Sequence, residues 1–403
     1  MKQSSMMTMP SIKRVKRIKA RVLPPTVMSV AELLAAQQST VIGLDVHKEK
    51  ITVAVLPPGV AYPTQSSEIE NHPKVIARMA NRLAPRGNLI FVYEAGPCGY
   101  EIHRQLTQMG HQAAVIAPAL VPRRPGDRVK TNRRDAVRLA CLYRAGELTK
   151  IRVPTREEEA ARDLVRARED SLKDRLRARH RLSKFLLRQG RVYYGTKGWG
   201  VAHGAWLRSQ RFDSPLSQAT FEAYMRALEE ADARLESLNQ QVLALAQTDP
   251  YRIPVQYLRC CKGIDTLGAV TVLVETQDFR RFPKAPAYMD FTGLVCSEDS
   301  SGEREHRGPI TKAGNSHLRR LFVEAAWNYR HRDITSRALA KRRQGCRPEV
   351  VQIARKAQHR LHRKFWRLVS RRKLNQVAAV AVARELAGFV WAIAQQFPQQ
   401  PSA

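Results

Sequence analysis

The sequence has no Cys-x-x-Cys pair and no cysteine–histidine spacing of the zinc-site kind. Its six cysteines, Cys98, Cys141, Cys260, Cys261, Cys296 and Cys346, are scattered along the chain. Neither a structural zinc centre nor a disulfide framework is expected, and the thiols read as reduced and mostly buried. Long apolar runs are missing too, since a spanning helix needs roughly 18–20 uninterrupted residues. The best stretch, Val377 to Phe397, is broken by Arg384 and Glu385. The basic run from Lys13 to Arg21 precedes no apolar segment with a small-residue cleavage site, so no secretory signal is expected. These absences point to a cytoplasmic, nucleoid-associated protein with no membrane partner. Negative charge is scarce: 36 acidic residues face 69 Lys and Arg, for a formal net charge of +33. Such a chain repels itself unless a polyanion lies against it, which makes nucleic acid the default partner.

The 403 residues suffice for two or three domains. Residues 1–38 mix Met, Ser, Pro and basic residues without a sustained period and read as a flexible basic arm. From Thr40 the pattern VIGLDVHKEKITVAVL has the form of a β-hairpin. A helix at Pro73 to Leu83, a strand at Leu89 to Tyr93, a helix at Gly99 to Met109, a strand at Ala113 to Ile116 and a helix ending at Gly146 follow. This alternation predicts an α/β domain over 39–152. Residues 153–250 are charged and leucine-rich at helical spacing, predicting a helical hairpin or coiled coil with the aromatic segment RVYYGTKGWGVAHGAW at its tip. A solvated charged spacer is the competing reading. Residues 251–398 form a third, mostly α domain. Its segment CCKGIDTLGAVTVLVE resembles a helix-hairpin-helix turn whose backbone N–H groups could hold a phosphate. A later helix there has a basic face of Arg355, Lys356, Arg360 and Arg363 suited to a phosphate backbone.

Asp45 stands inside an apolar strand, where an uncompensated carboxylate is costly. Glu94 ends another strand. Asp135 lies near the start of the domain's last helix, and Asn132, one turn earlier, shares its face. Each alone can be a cap or turn residue. Together they form the hard oxygen set that Mg2+ or Mn2+ takes, and two such ions serve phosphodiester displacement.

The segments GLDVHKEKITVAVL, YEAGPCGY, DRVKTNRRDAVRLA, CCKGIDTLGAVTVLVE, GLVCSEDSSGEREHRGPITKAGNSHLRRLFVEAAW and ARELAGFVWAI, in this order over most of residues 40–395, resemble the DEDD-type insertion-sequence transposases. The branch resembled is IS-one-ten, the bridge-RNA-guided recombinase type. The resemblance implies a RuvC-like, RNase H-fold N-terminal domain with Asp45, Glu94, Asn132 and Asp135 at the metal. Asn132 stands where the family has an aspartate, and Asp127 is a nearby substitute. It implies that Ser301, before Gly302, is the nucleophile, with Ser297 and Ser300 as neighbours and His306 and His317 near enough to consider as bases. A serine-rich polar loop is the competing reading of SEDSSG. Arg304, Arg307, Lys312, Arg319 and Arg320 would clamp the scissile phosphate. The implied partners are the element's DNA ends, target DNA and a noncoding guide RNA, in a homodimer or homotetramer. A RuvC-like nuclease or junction resolvase, and a noncatalytic nucleic-acid-binding protein, are the alternatives.

Overall fold

The structure is a computed structural model and describes residues 28–122, 131–301 and 304–398. The basic run from Lys13 to Arg21, Asp127 and Gly302 lie outside the described residues. In chain order the elements are α1 (Val30–Gln38), β1 (Thr40–Val46), β2 (Lys50–Leu56), β3 (Gln65–Glu70), α2 (Pro73–Leu83), β4 (Leu89–Glu94), α3 (Glu101–Gln108), β5 (Gln112–Ile116) and α4 (Asn132–Arg144). Then come α5 (Arg156–Arg188), α6 (Val201–Ser209), α7 (Pro215–Leu245), α8 (Arg252–Leu258), α9 (Thr266–Thr276), α10 (Ala285–Phe291), β6 (Cys296–Ser301), β7 (Arg304–Ile310), α11 (Ser316–Ala326), α12 (Arg337–Arg343), α13 (Pro348–Ser370) and α14 (Asn375–Ala394).

The first five strands form one mixed sheet in the order β3-β2-β1-β4-β5. The β1–β2 and β2–β3 pairs are antiparallel, and β1–β4 and β4–β5 are parallel. This is the RNase H-like arrangement. Strand alternation sends Ile42, Leu44, Phe91 and Tyr93 to one face, where they pack with Ile76, Met79 and Leu83 of α2 and Ile102 and Leu106 of α3. Val41, Ile90, Val92 and Ala114 go to the other face, against Leu139, Ala140 and Tyr143 of α4 and Ala36 of α1. The end of the expected basic arm is therefore ordered. Ser29 and Glu32 close a capping box on α1, and Lys150 bonds Glu32 at 2.9 Å.

The helices α5 and α7 pack antiparallel. Leu182, Phe185 and Leu186 near the end of α5 meet Phe221 and Leu228 near the start of α7. At the other end, Ala161 and Val165 share a core with Val242 and Ala246. That core is the large helical one, holding α8, α9, α11, α13 and α14 together, so the base of the pair is built into it. One described helix, α14, is long and apolar enough to cross a membrane, but Ala378, Val382, Leu386, Val390 and Ile393 are among its residues completely buried in this core. Cysteine burial is more mixed than expected: Cys260 and Cys261 are buried, Cys98, Cys141 and Cys346 half-buried and Cys296 exposed, all as free thiols.

Candidate active site

Position 43 is glycine because α4 crosses β1 there: a Cβ would lie 2.0 Å from the Ala136 carbonyl oxygen. This close crossing puts the start of α4 over the end of β1. Thr131 caps the helix, its hydroxyl accepting from the Arg134 N–H at 3.3 Å. Arg144 anchors the far end, donating to the carbonyls of Ser39, Leu56, Pro57 and Val60 at 3.0, 2.7, 2.6 and 3.2 Å. Four carbonyls take its two terminal nitrogens without a carboxylate, while the buried Nε has no hydrogen-bond partner among the described residues, and desolvation lowers its pKa.

The ladder pairs Leu44 with Tyr93, so Asp45 and Glu94 come next at one level on adjacent parallel strands. By alternation both belong to the face that α4 covers. Asp45 keeps 22% of its side chain exposed and holds His47 at 3.2 Å. Asp135 is buried and paired with Arg138 at 3.0 Å. Asn132 is the exposed first residue of α4. Asp45 and Glu94 thus stand at the ends of adjacent strands on the face that α4 covers, and Asp135 stands in the first turn of α4. Among the described residues, no three His, Cys, Asp or Glu side chains are close enough to hold a metal as they stand. The donor set still suits a hard divalent cation, with an oxygen donor on each of the four side chains and none on sulfur.

In the helical region, Cys296–Ser301, for which a serine-rich polar loop is the competing reading, is one strand of a two-stranded ribbon. Ser301 ends β6 and pairs through its backbone with Arg304, while Asp299 pairs with His306 and Glu298 with Arg307. Ser297 is taken up elsewhere, donating to the Pro309 carbonyl at 3.2 Å. After the ribbon, Gly314 (φ 145°) is required because the Phe291 carbonyl oxygen lies 2.3 Å from where its Cβ would be. Asn315 then caps α11, its side-chain oxygen accepting from the Leu318 N–H at 3.0 Å.

Several residues named for phosphate contacts have internal partners. Arg319 donates to the Thr292 and Lys312 carbonyls at 3.2 and 3.1 Å, and Arg320 binds Glu169 at 2.6 Å. His317, considered as a base, binds the same Glu169 at 2.6 Å. Arg360 pairs with Glu385 at 2.9 Å. Arg355, Lys356 and Arg363 are exposed on α13, and Arg307 and Lys312 beside the ribbon. In the turn before α9, the Asp265 carboxylate caps the helix, accepting from the Gly268 N–H at 2.7 Å. Gly263 (φ 87°) is exposed, and a Cβ there would lie 2.5 Å from the Ala325 carbonyl oxygen.

Two carboxylates that sequence reasoning missed organise this region. Glu275, in α9, accepts from Arg166 at 2.7 and 2.9 Å and from Asn315 at 2.7 Å. Glu169, in α5, takes His317 and Arg320. Burial pushes the Glu275 carboxyl up, but Arg166 and Asn315 outweigh it and hold its pKa below the usual range. Burial acts likewise on Glu169, and His317 with Arg320 outweighs it. The available signal was the lone acid of TLGAVTVLVET, the same kind of signal that singled out Asp45.

An RNase H-like sheet with Asp45 and Glu94 at the ends of adjacent strands, joined to a mostly helical region, narrows the class of protein. Comparison with known proteins narrows it further. A family profile described as Transposase matches residues 42–189, and one described as Transposase IS116/IS110/IS902 family matches residues 255–341. A putative transposase, y4qE, of Sinorhizobium fredii is 38% identical over 383 residues, covering 94% of this chain and 94% of its own length. The transposase for insertion sequence element IS1533 of Leptospira borgpetersenii is 34% identical over 337 residues, covering 82% of this chain and 97% of its own length. The chain belongs to the IS110 family of DEDD transposases: it is a DNA-binding enzyme of insertion-sequence transposition.

Proposed function

We propose that this transposase cuts and rejoins DNA through Ser301, with Asp45, Glu94, Asp135 and Asn132 holding Mg2+ or Mn2+ at the same phosphodiester. The observation that carries the reading is the common level and face of Asp45 and Glu94 beneath the start of α4. The Ser301 Oγ bonds to phosphorus while the bond from phosphorus to a deoxyribose oxygen breaks. The serine proton passes to a base, and the departing oxygen takes up a proton. Attack by another strand's hydroxyl on the phosphoserine reverses the step, so strands exchange without hydrolysis and the bond count is conserved. A bound divalent cation would supply charge neutralisation at the phosphate and ease loss of the serine proton. Arg304 and Arg307 on β7 and Lys312 just after it would bind the phosphate.

In this reading residues 39–152 carry the metal, 153–250 the helical pair and 251–398 the nucleophile. A homodimer or homotetramer brings the parts together on two DNA partners, and an element-encoded noncoding RNA selects target and donor. The test is protein incubated with Mg2+, element-end DNA and that RNA. A protein–DNA adduct that survives denaturation is expected from the wild type and not from Ser301→Ala or Asp45→Ala. Cleavage by Ser301→Ala at the wild-type rate overturns the serine step and leaves a RuvC-like nuclease. No cleavage by the wild type under any condition leaves a nucleic-acid-binding protein.

A further inference from the structure

Between residues 175 and 212, at the far end of the α5–α7 pair, the chain has ten Lys and Arg and no Asp or Glu. Among the described residues, Asp232 on α7 approaches Arg175 and Arg179 at 3.7 and 3.9 Å, and Arg177 pairs with Asp174. Arg181, Lys184, Arg188, Lys197 and Arg208 are exposed. Within this charge sits a fixed aromatic cluster. The His203 ring stacks on Trp206 (5.4 Å, 19°) and meets Tyr193 edge-on at 4.7 Å, and the Arg179 guanidinium lies 4.8 Å over Trp199. Trp199 has a left-handed backbone (φ 61°), held by its N–H donating to His203 Nδ1 at 3.1 Å. Burial, with Arg179 nearby, lowers the His203 pKa and favours the neutral ring that this acceptor role requires. Tyr193 is packed into the cluster, whereas Tyr194 is 92% exposed beside it.

We propose that this tip is a docking surface for an unpaired RNA loop, with Tyr194 as a stacking platform and Arg188, Lys197 and Arg208 as phosphate partners. An exposed aromatic ring amid unneutralised cations suits single-stranded nucleic acid, whose bases have open faces; in a duplex those faces are covered. Folded RNA presents such loops permanently, while element-end DNA is paired. A second copy of the tip fits poorly, because it would bring a second excess of Lys and Arg against this one. The choice of RNA rests on the guide-RNA reading above.

The test uses the full-length protein and fluorescence anisotropy with a labelled RNA hairpin carrying an unpaired pyrimidine loop, a fully paired RNA of equal length and the DNA version of the hairpin. Tyr194→Ala is expected to weaken loop binding about tenfold and Tyr194→Phe to retain it. Arg188→Ala with Arg208→Ala is expected to weaken it further and flatten its salt dependence. The exposure of Tyr194 keeps the fold out of the result, checked by circular dichroism. If the wild type binds the RNA loop and Tyr194→Ala binds it equally, the tip assignment falls while the guide-RNA reading stands. If the wild type binds neither this RNA nor the element's own RNA, both fall. Equal affinity for the DNA hairpin overturns the choice of RNA. A change in sedimenting mass with RNA binding unchanged assigns the surface to a second copy.

Discussion

Asp45 in β1 and Glu275 in α9 are each the lone carboxylate of an apolar run, VIGLDV and TLGAVTVLVET. Their surroundings separate them. The Glu275 side chain is only 1% exposed and takes both nitrogens of one guanidinium edge and an amide from the protein itself. Asp45, at the open end of its strand, is 22% exposed and has a single histidine beside it. An apolar run containing one acid therefore says that something must compensate the charge, without saying whether the partner is the protein or a ligand. The location decides. A carboxylate inside a helical junction is consumed by its neighbours, whereas one at the end of parallel strands remains available to a ligand.

The sharpest way to break this contrast is Asp45→Ala. DNA cleavage in Mg2+ is expected to fall about a thousandfold or more, several kcal/mol of transition-state stabilisation, with the urea midpoint nearly unchanged. A stability loss with cleavage intact would make Asp45 a structural acid like Glu275. Next in size, Gly43→Ala forces a methyl onto the Ala136 carbonyl and is expected to cost about 3 kcal/mol by urea unfolding. Cleavage should fall with it as Asp135 moves away from Asp45. Glu275→Ala should show the opposite pattern to Asp45→Ala. It leaves Arg166 and Asn315 without their partner and costs about 2 kcal/mol, moderated because Arg166 is 39% exposed.

The same pair of junction acids predicts a pH dependence. Glu275 and Glu169 titrate lower in the folded state than their ordinary value of 4.5. Their stabilisation is therefore present above that value and lost as pH falls through the folded pKa values. The double variant Glu169→Gln, Glu275→Gln is expected to be less stable at pH 7, with a shallower loss of melting temperature toward pH 3. A parallel loss in both proteins would remove these acids from the account. The smallest effect expected is at Asn132→Asp, which should lower the Mg2+ concentration for half-maximal cleavage severalfold. An unchanged titration would show that position 132 does not reach the ion.

Much of the sheet domain was legible because its cues are local. The run ITVAVL has the period of a strand, Pro73 and His72 open α2, and the glycine after Arg144 closes α4. The strand β3 was missed: QSSEIE is polar and half-exposed at the sheet edge, and so lacks apolar alternation. The ribbon β6–β7 was missed for a related reason. Cys296 to Asp299, His306 and Arg307 are exposed, so these segments show little apolar alternation and are held as strands by the ladder. On the candidate site, strand ends and a helix start made Asp45, Glu94 and Asp135 visible one at a time. The internal uses of His317 and Arg320 were hidden, because Glu169 is 148 residues from His317 in the chain.

The amino-acid order by itself determined the polyanion-seeking charge, the alternation of strands and helices, and the identity of the donors available at each element's end. Those are properties of composition and short-range period, which need no knowledge of what lies across the molecule. Only the tertiary structure decided which donors remain for a ligand. Whether a carboxylate or a guanidinium is already satisfied depends on groups that meet it from remote segments, and burial makes each such meeting energetically compulsory.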